Sequence, residues 1–192
     1  MDTLKDKKTR ILEAAIYLFA RDGFWKTSTA SIAKEAQVAT GTLFHYFSSK
    51  DILIDAVYIR LKKDLYAHIM ANWDPKAHLR EKLLQAWTGM ILWAQNNPTH
   101  YDLMEQLRLS ELVSQETREA MAAEFTGFSM DMQMGIKEKI ICDLPVTYHL
   151  TMAGALINAT ITFLRTPEGE ATETQTTIAQ GFHVYWQGIT TH

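Results

Sequence analysis

Residues 27–50 read TSTASIAKEAQVATGTLFHYFSSK, and this stretch decides the fold. Two short helical patterns meet in it at a tight turn. Thr27 or Ser28 is placed to cap the first, because a hydroxyl oxygen accepts from the orphan N–H groups of a first turn. Ile32, Ala33 and Ala36 then share one face at the i, i+1, i+4 spacing of a helix. Gln37-Val38-Ala39 makes the turn, with Val38 as an apolar plug, and Thr40 is placed to cap the second helix. Leu43 and Phe47, four residues apart, point inward and leave Thr40, Thr42, His45 and Tyr46 outward. The pattern is a helix-turn-helix, whose second helix lies in a DNA major groove with its N-terminal residues at base edges.

The same residues carry a family pattern. Gly23-Phe24, Thr27-Ser28, Ile32-Ala33 and Ala36-Gln37-Val38 are followed by Thr40-Gly41-Thr42-Leu43-Phe44-His45-Tyr46-Phe47 and Lys50-Asp51-Ile52-Leu53. Over about residues 8–55 the chain resembles the TetR family of bacterial transcriptional regulators. It departs from the pattern twice. Gln37 stands where the family has a glycine that suits a positive φ, and Phe44 stands where a tyrosine would offer a hydroxyl to a phosphate. The resemblance implies an all-α fold, with an N-terminal three-helix helix-turn-helix module and a larger C-terminal helical bundle for ligand binding and dimerisation. The boundary is expected near residue 50: residues 1–50 form the DNA-binding domain, and residues 51–192, opened by a connecting helix, form the rest.

Composition supports a folded chain outside the membrane. Of 192 residues, 47% are apolar, enough for a core, and four prolines leave room for long helices. No apolar run reaches the ~18 residues of a membrane span, and MDTLKDKKTR lacks the apolar segment of a signal peptide. One cysteine, Cys142, excludes an internal disulfide and fits a reducing cytoplasm. The net charge of −3 is unevenly spread. Residues 1–63 hold 11 Lys and Arg against 7 Asp and Glu (+4), and the remainder holds 8 against 15 (−7). A basic module attracts phosphates, and an acidic remainder repels them.

Apolar spacing predicts helices throughout. Helix 1 covers roughly 8–21 and stops at Gly23; a fourth helix runs from Asp51 to about Trp73. Asp74-Pro75 opens a fifth, to about Asn97, and a short one follows near 99–112. A long helix is expected from Ser114 to about Cys142, another over 145–165, a polar loop over 166–170 and a last helix over 173–189.

Helix 145–165 carries two apolar stripes, Leu150, Ala153, Gly154, Ile157, Ile161 and Leu164 on one side and Met152, Leu156, Ala159 and Phe163 on the other. The last helix adds Ile178, Phe182, Tyr185, Trp186 and Ile189. A helix apolar nearly all round must be covered on both sides. These two helices are therefore expected to pair with their symmetry mates in a homodimer, as the resemblance also implies; the alternative is that both are core of one monomer.

The middle of the chain is the expected home of a small-molecule inducer, apolar or aromatic in character. The candidate lining is Trp87, Met90, Ile91, Met104, Leu107, Phe125, Phe128, Met132 and Met152, with Glu105, Arg108, His149 and Asn158 as polar anchors. For DNA the candidate contacts are Thr29, Thr40, Gly41, Thr42, Phe44, His45, Tyr46 and Lys50. The recognition face holds no Arg or Asn, so it offers no bidentate reader of guanine or adenine.

No chemistry of an enzyme is legible. There is no phosphate-cradling glycine loop, no H-E-x-x-H and no nucleophile elbow. The seven histidines show no i, i+4 ligand pair, so neither metal nor cofactor is expected. Three function classes follow. The first is a ligand-responsive repressor on a palindromic double-stranded DNA operator. The second is a DNA-binding regulator controlled by a protein partner, and the third an enzyme on a helical scaffold.

Overall fold

The computed structural model describes residues 2–124 and 126–191, and every named element among them is an α-helix. In chain order these are α1 (Asp2–Asp22), α2 (Thr29–Glu35), α3 (Thr40–Tyr46), α4 (Lys50–Met70), α5 (Leu79–Asn96) and α6 (Pro98–Leu109). They continue as α7 (Gln115–Glu124), α8 (Thr126–Lys137), α9 (Val146–Leu164), α10 (Pro167–Glu170) and α11 (Thr174–Ile189). The all-α expectation holds. A single antiparallel bridge, Ile141 to Thr190, ties the loop after α8 to the end of α11.

Three boundaries differ from the sequence reading, each for a local reason. Asp74-Pro75 does not open α5. The Asp74 carboxylate accepts from the Lys76 N–H at 2.8 Å and makes a turn, and Glu81 reaches back to the His78 N–H at 3.1 Å to start the helix at Leu79. The long helix expected over 114–142 stops at Lys137 instead of near Cys142: Lys139 turns left-handed at φ 57°, and the Ile140 N–H bonds the Gly135 carbonyl at 2.8 Å. The loop expected at 166–170 contains the short helix α10, whose N-cap Thr166 accepts from the Gly169 N–H at 3.1 Å.

The chain forms two compact units. The first comprises Met1–Asp64 and Asn97–Met121, and the second Leu65–Asn96 and Ala122–His192. In the first, α1, α2 and α3 pack together and α6 lies along α1. Ile11, Ala15, Phe19, Ile32, Leu43 and Phe47 make its core. Polar ties brace its edges. Arg60 on α4 reaches Glu13 on α1 at 3.4 Å and Asp64 at 2.9 Å. Asp55 accepts from the Ser114 N–H at 2.9 Å, and Arg118 donates to the carbonyls of Leu107, Arg108 and Ser110 at the end of α6.

The second unit is built on the mutual packing of α5, α9 and α11. Trp87 lies at its centre, 2% exposed. Its ring stacks on Tyr185 at 5.6 Å and meets Phe182 edge-on at 5.9 Å, and its Nε1–H donates to the Ile178 carbonyl at 3.2 Å. Burying aromatic faces supplies most of the stabilisation here, with ring geometry adding about 0.5–1.5 kcal/mol per pair. Gly169 fixes where α10 folds back on α9. A Cβ there would fall 2.1 Å from the Phe163 carbonyl oxygen and 2.7 Å from the Leu164 Cα.

Gly169→Ala tests that contact. In an open helix the change stabilises by about 0.5–1 kcal/mol. Here a backbone neighbour cannot yield, so a loss of about 1–3 kcal/mol is expected, read as a lower urea midpoint at unchanged slope. An unchanged or raised midpoint would show that α10 moves freely from α9.

Candidate nucleic-acid interface

The turn between α2 and α3 is set by its caps. Ser28 is the N-cap of α2: its Oγ accepts from the Ser31 N–H at 3.0 Å, and Ser31 Oγ accepts from the Ser28 N–H at 3.1 Å. Thr27 does not cap. It is buried and donates to the carbonyls of Gly23 (2.8 Å) and Leu18 (3.2 Å), pinning the loop before α2 to α1. At the other end, the Gln37 N–H bonds the Lys34 carbonyl and the Val38 N–H the Ala33 carbonyl, at 3.1 and 2.9 Å. This Schellman pattern requires a left-handed residue, and Gln37 adopts it at φ 54°. The expected departure from glycine is therefore carried without remodelling the turn.

Thr40 does not cap α3. Ala39 occupies the N-cap with no side-chain bond, and Thr40 is the first helical residue, so its hydroxyl faces solvent. Leu43 and Phe47 are buried, at 0% and 2%. That anchors the inner face of α3 and leaves Thr40, Gly41 and His45 exposed, with Thr42 and Tyr46 partly so. His45 and Tyr46 meet edge to face at 5.5 Å. A Cβ at Gly41 would meet no atom within 4 Å, so nothing of the chain covers this helix surface. Phe44 is 44% exposed, and Thr29 sits half-buried at the start of α2.

Lys50, expected at a phosphate, also has a partner within the chain. Its ammonium donates to the Phe24 carbonyl and lies 6.0 Å over the Phe19 ring, so it clamps the α1–α2 loop to the start of α4. Any phosphate would share it with that carbonyl. The loop itself presents a residue that periodicity does not reveal. Phe24 packs on Phe19 at 5.1 Å, and the adjacent Trp25 stands 84% exposed beside exposed Lys26. Nearby, Arg21 grips Asp22 through two 2.7 Å bonds and reaches the Tyr17 hydroxyl at 3.2 Å. Those bonds raise the Arg21 pKa and lower that of Asp22, so the pair is internally neutral.

The expected ligand residues are dispersed. Trp87, Ile91, Met132 and His149 are buried in the second unit, where Met90, Phe128 and Met152 are half-buried. Asn158 is exposed on α9. Met104 and Leu107 are core of the first unit, and Arg108 there is exposed and bonded to Glu105 at 2.8–3.0 Å. Phe125 lies outside the described residues. His149 uses Nε2 on the Cys142 carbonyl at 3.0 Å, and its buried Nδ1 has no partner. Tyr185, whose hydroxyl donates to the His149 carbonyl, has its pKa pushed up to about 12 by burial. None of the expected residues lines the cavity that the second unit does contain. That cavity, about 250 Å³, is bounded by His68, Ile69 and Asn72 at the end of α4 and by Leu84, Gln85, Thr88, Gly89 and Leu92 on α5.

Comparison with known proteins points the same way as the geometry. The family model described as bacterial regulatory proteins, tetR family, matches residues 11–57. An HTH-type transcriptional regulator from Haemophilus influenzae is 32% identical over 101 residues, 53% of this chain and 54% of that protein. The match thus spans about half the length of that relative. A crystal structure described as a tetR family transcription regulator from Shewanella sp. PV-4 is 28% identical, covers 97% of this chain and 99% of its own, and superposes with a TM-score of 0.87. A Marinobacter aquaeolei VT8 structure shares the fold at 20% identity, with 98% and 97% coverage and the same TM-score of 0.87.

Gln37→Gly isolates the cost of the turn. A side chain in the left-handed region costs roughly 1–2 kcal/mol, so glycine should raise the thermal midpoint by about 2–6 °C. DNA affinity should stay within about twofold, since the backbone at the turn is retained. A lower midpoint would mean that the Gln37 side chain contributes more than its φ costs.

Proposed function

Since the chain belongs to the TetR family of bacterial regulators, we propose that it is a ligand-responsive repressor, binding a palindromic operator as a dimer and released when a small molecule occupies the C-terminal part. Its relatives are helix-turn-helix transcriptional regulators. The observation that carries the reading is the outward surface of α3, where Thr40, Gly41 and His45 are exposed and Thr42 is partly so. Threonine hydroxyls donate to phosphates or base acceptors, their methyls meet thymine methyls, and Gly41 permits close backbone approach. We assign DNA binding to residues 1–50, and ligand binding and dimerisation to residues 51–192. No described helix is long and apolar enough to cross a membrane, and action in the cytoplasm on chromosomal DNA fits that.

Dimerisation is supported by what α9 and α11 leave uncovered. Ile157, Ile161 and Leu164 of α9, with Ile178, Phe182, Tyr185 and Ile189 of α11, are buried within the chain. Other parts of their surfaces are open: Thr151, Gly154, Ala155 and Asn158 on α9 and Val184 and Gly188 on α11 are exposed, Val184 at 62%. A Cβ at Gly154 or Gly188 would meet nothing. Small residues on two such faces permit close pairing with a second copy. A two-fold dimer then presents two α3 helices to half-sites about one DNA turn apart.

For ligand control, the 250 Å³ cavity between the end of α4 and α5 is the site we favour. Gly89 makes it possible: its missing Cβ lets α5 approach Ile69, where a Cβ would already be 3.2 Å away. The lining mixes Ile69, Leu84 and Leu92 with His68, Gln85 and Thr88, which suits a compact, largely apolar compound with one polar edge. Such a compound controls DNA binding only by its different affinities for the bound and unbound arrangements of the dimer.

Two measurements test this reading together. The wild-type chain should sediment as a dimer at micromolar concentration and retard a palindromic duplex selected from a random library. Val184→Arg should sediment as a monomer and lose at least about a hundredfold in affinity, because bivalency is lost. In a panel of compact apolar compounds, one should release the duplex. A wild-type monomer would sink the dimer, and a dimer–DNA complex that no compound disturbs favours control by a protein partner.

A further inference from the structure

We infer that Trp25 and Lys26 form a second DNA contact, on the sugar-phosphate backbone flanking each half-site and outside the bases faced by α3. The inference rests on the DNA-binding reading and extends it. Among the described residues, Trp25 is the most exposed large apolar side chain, at 84%. Exposure on a floppy segment would mean little, but this loop is fastened on both sides. Phe24 is buried against Phe19, the Phe24 carbonyl is held by the Lys50 ammonium, and Thr27 is bonded to the carbonyls of Leu18 and Gly23. Several interactions thus hold a segment whose central side chain stands mostly in solvent.

The position of the loop selects its occupant. It leads directly into Ser28, the N-cap of α2. In a helix-turn-helix the helix before the recognition helix crosses the DNA backbone. Residues just ahead of that helix therefore lie beside phosphates and sugars, at the edge of the groove that α3 enters. The local charge agrees. Arg21 and Lys26 against Asp22 give residues 21–27 a net charge of +1, with Arg21 bonded to Asp22 and Lys26 exposed nearby. A cation beside a flat indole suits a polyanion whose sugars offer apolar faces between the charges. The indole Nε1–H can donate to a phosphate oxygen while the ring covers a deoxyribose. Such a contact adds affinity without reading bases.

The test uses the full-length chain and the duplex that the wild-type protein selects from a random library. That duplex is prepared with about ten flanking base pairs on each side, roughly one helical turn, and again with both flanks removed up to the outer edges of the half-sites. Trp25→Ala should weaken binding to the long duplex about tenfold, as loss of an interface anchor does. On the trimmed duplex wild type and Trp25→Ala should bind alike, because the contacted backbone has gone. Lys26→Ala should lower the slope of log K against log salt by about 1 on the long duplex. Thermal midpoints of both variants should match wild type, since neither side chain supports the fold. Wild-type affinity in both variants, or a Trp25→Ala loss that persists undiminished on the trimmed duplex, overturns the inference while leaving the DNA reading intact. Failure of the wild-type chain to select any duplex overturns both.

Discussion

The left-handed backbone at Gln37 is the constraint around which the first unit is arranged. A Schellman turn ends α2 abruptly, and that stop aims α3 so that Leu43 and Phe47 drop into the core beside Ile32 and Phe19. One unfavourable dihedral therefore sets the direction in which α3 leaves α2. The cost is local, and the burial of Leu43 and Phe47, worth about 1.5–3 kcal/mol each, exceeds it.

The second unit solves a different problem. Three helices, α5, α9 and α11, bury one face each around Trp87, and the remaining faces of α9 and α11 stay open. Tyr185 joins the two halves of this arrangement, stacking on Trp87 while its hydroxyl reaches the His149 carbonyl. Nothing in that core demands the small residues at Gly154 and Gly188, around which there is open space. A Cβ would fit at either position, so packing within the chain does not require glycine there. The reading of a second copy draws its weight from that contrast between a tightly filled inner face and an open, small-residue outer one.

The helix-turn-helix was legible in the sequence because its signals are short-range. The spacing of Ile32, Ala33 and Ala36, the pair Leu43 and Phe47, and the capping hydroxyls all act within one or two turns. Where several hydroxyls stood together, the choice among them was not legible. Thr27 turned inward to the α1 carbonyls and Ser28 took the cap, while Thr40 yielded the N-cap to Ala39. The bond from Lys50 to the Phe24 carbonyl was not legible either, because it joins residues 26 apart in the chain. The cavity was illegible because it depends on how closely α5 approaches the end of α4, which a glycine at position 89 decides. Of the Met and aromatic candidates, Trp87, Met104 and Met132 are core, while Met90, Phe128 and Met152 are half-buried.

The division of labour on α3 has a consequence for how this chain can change over time. Its inward residues carry the stability of the module, and its outward residues carry none: Thr40, Gly41 and His45 touch solvent, and Gly41 has empty space around it. Mutations on the outer face are then nearly free of folding cost, and the short side chains there leave room for longer ones. A single replacement by arginine or asparagine would add a bidentate base contact where none exists. The surface that chooses the target sequence can drift, duplicate and be retargeted while the scaffold that presents it stays as it is.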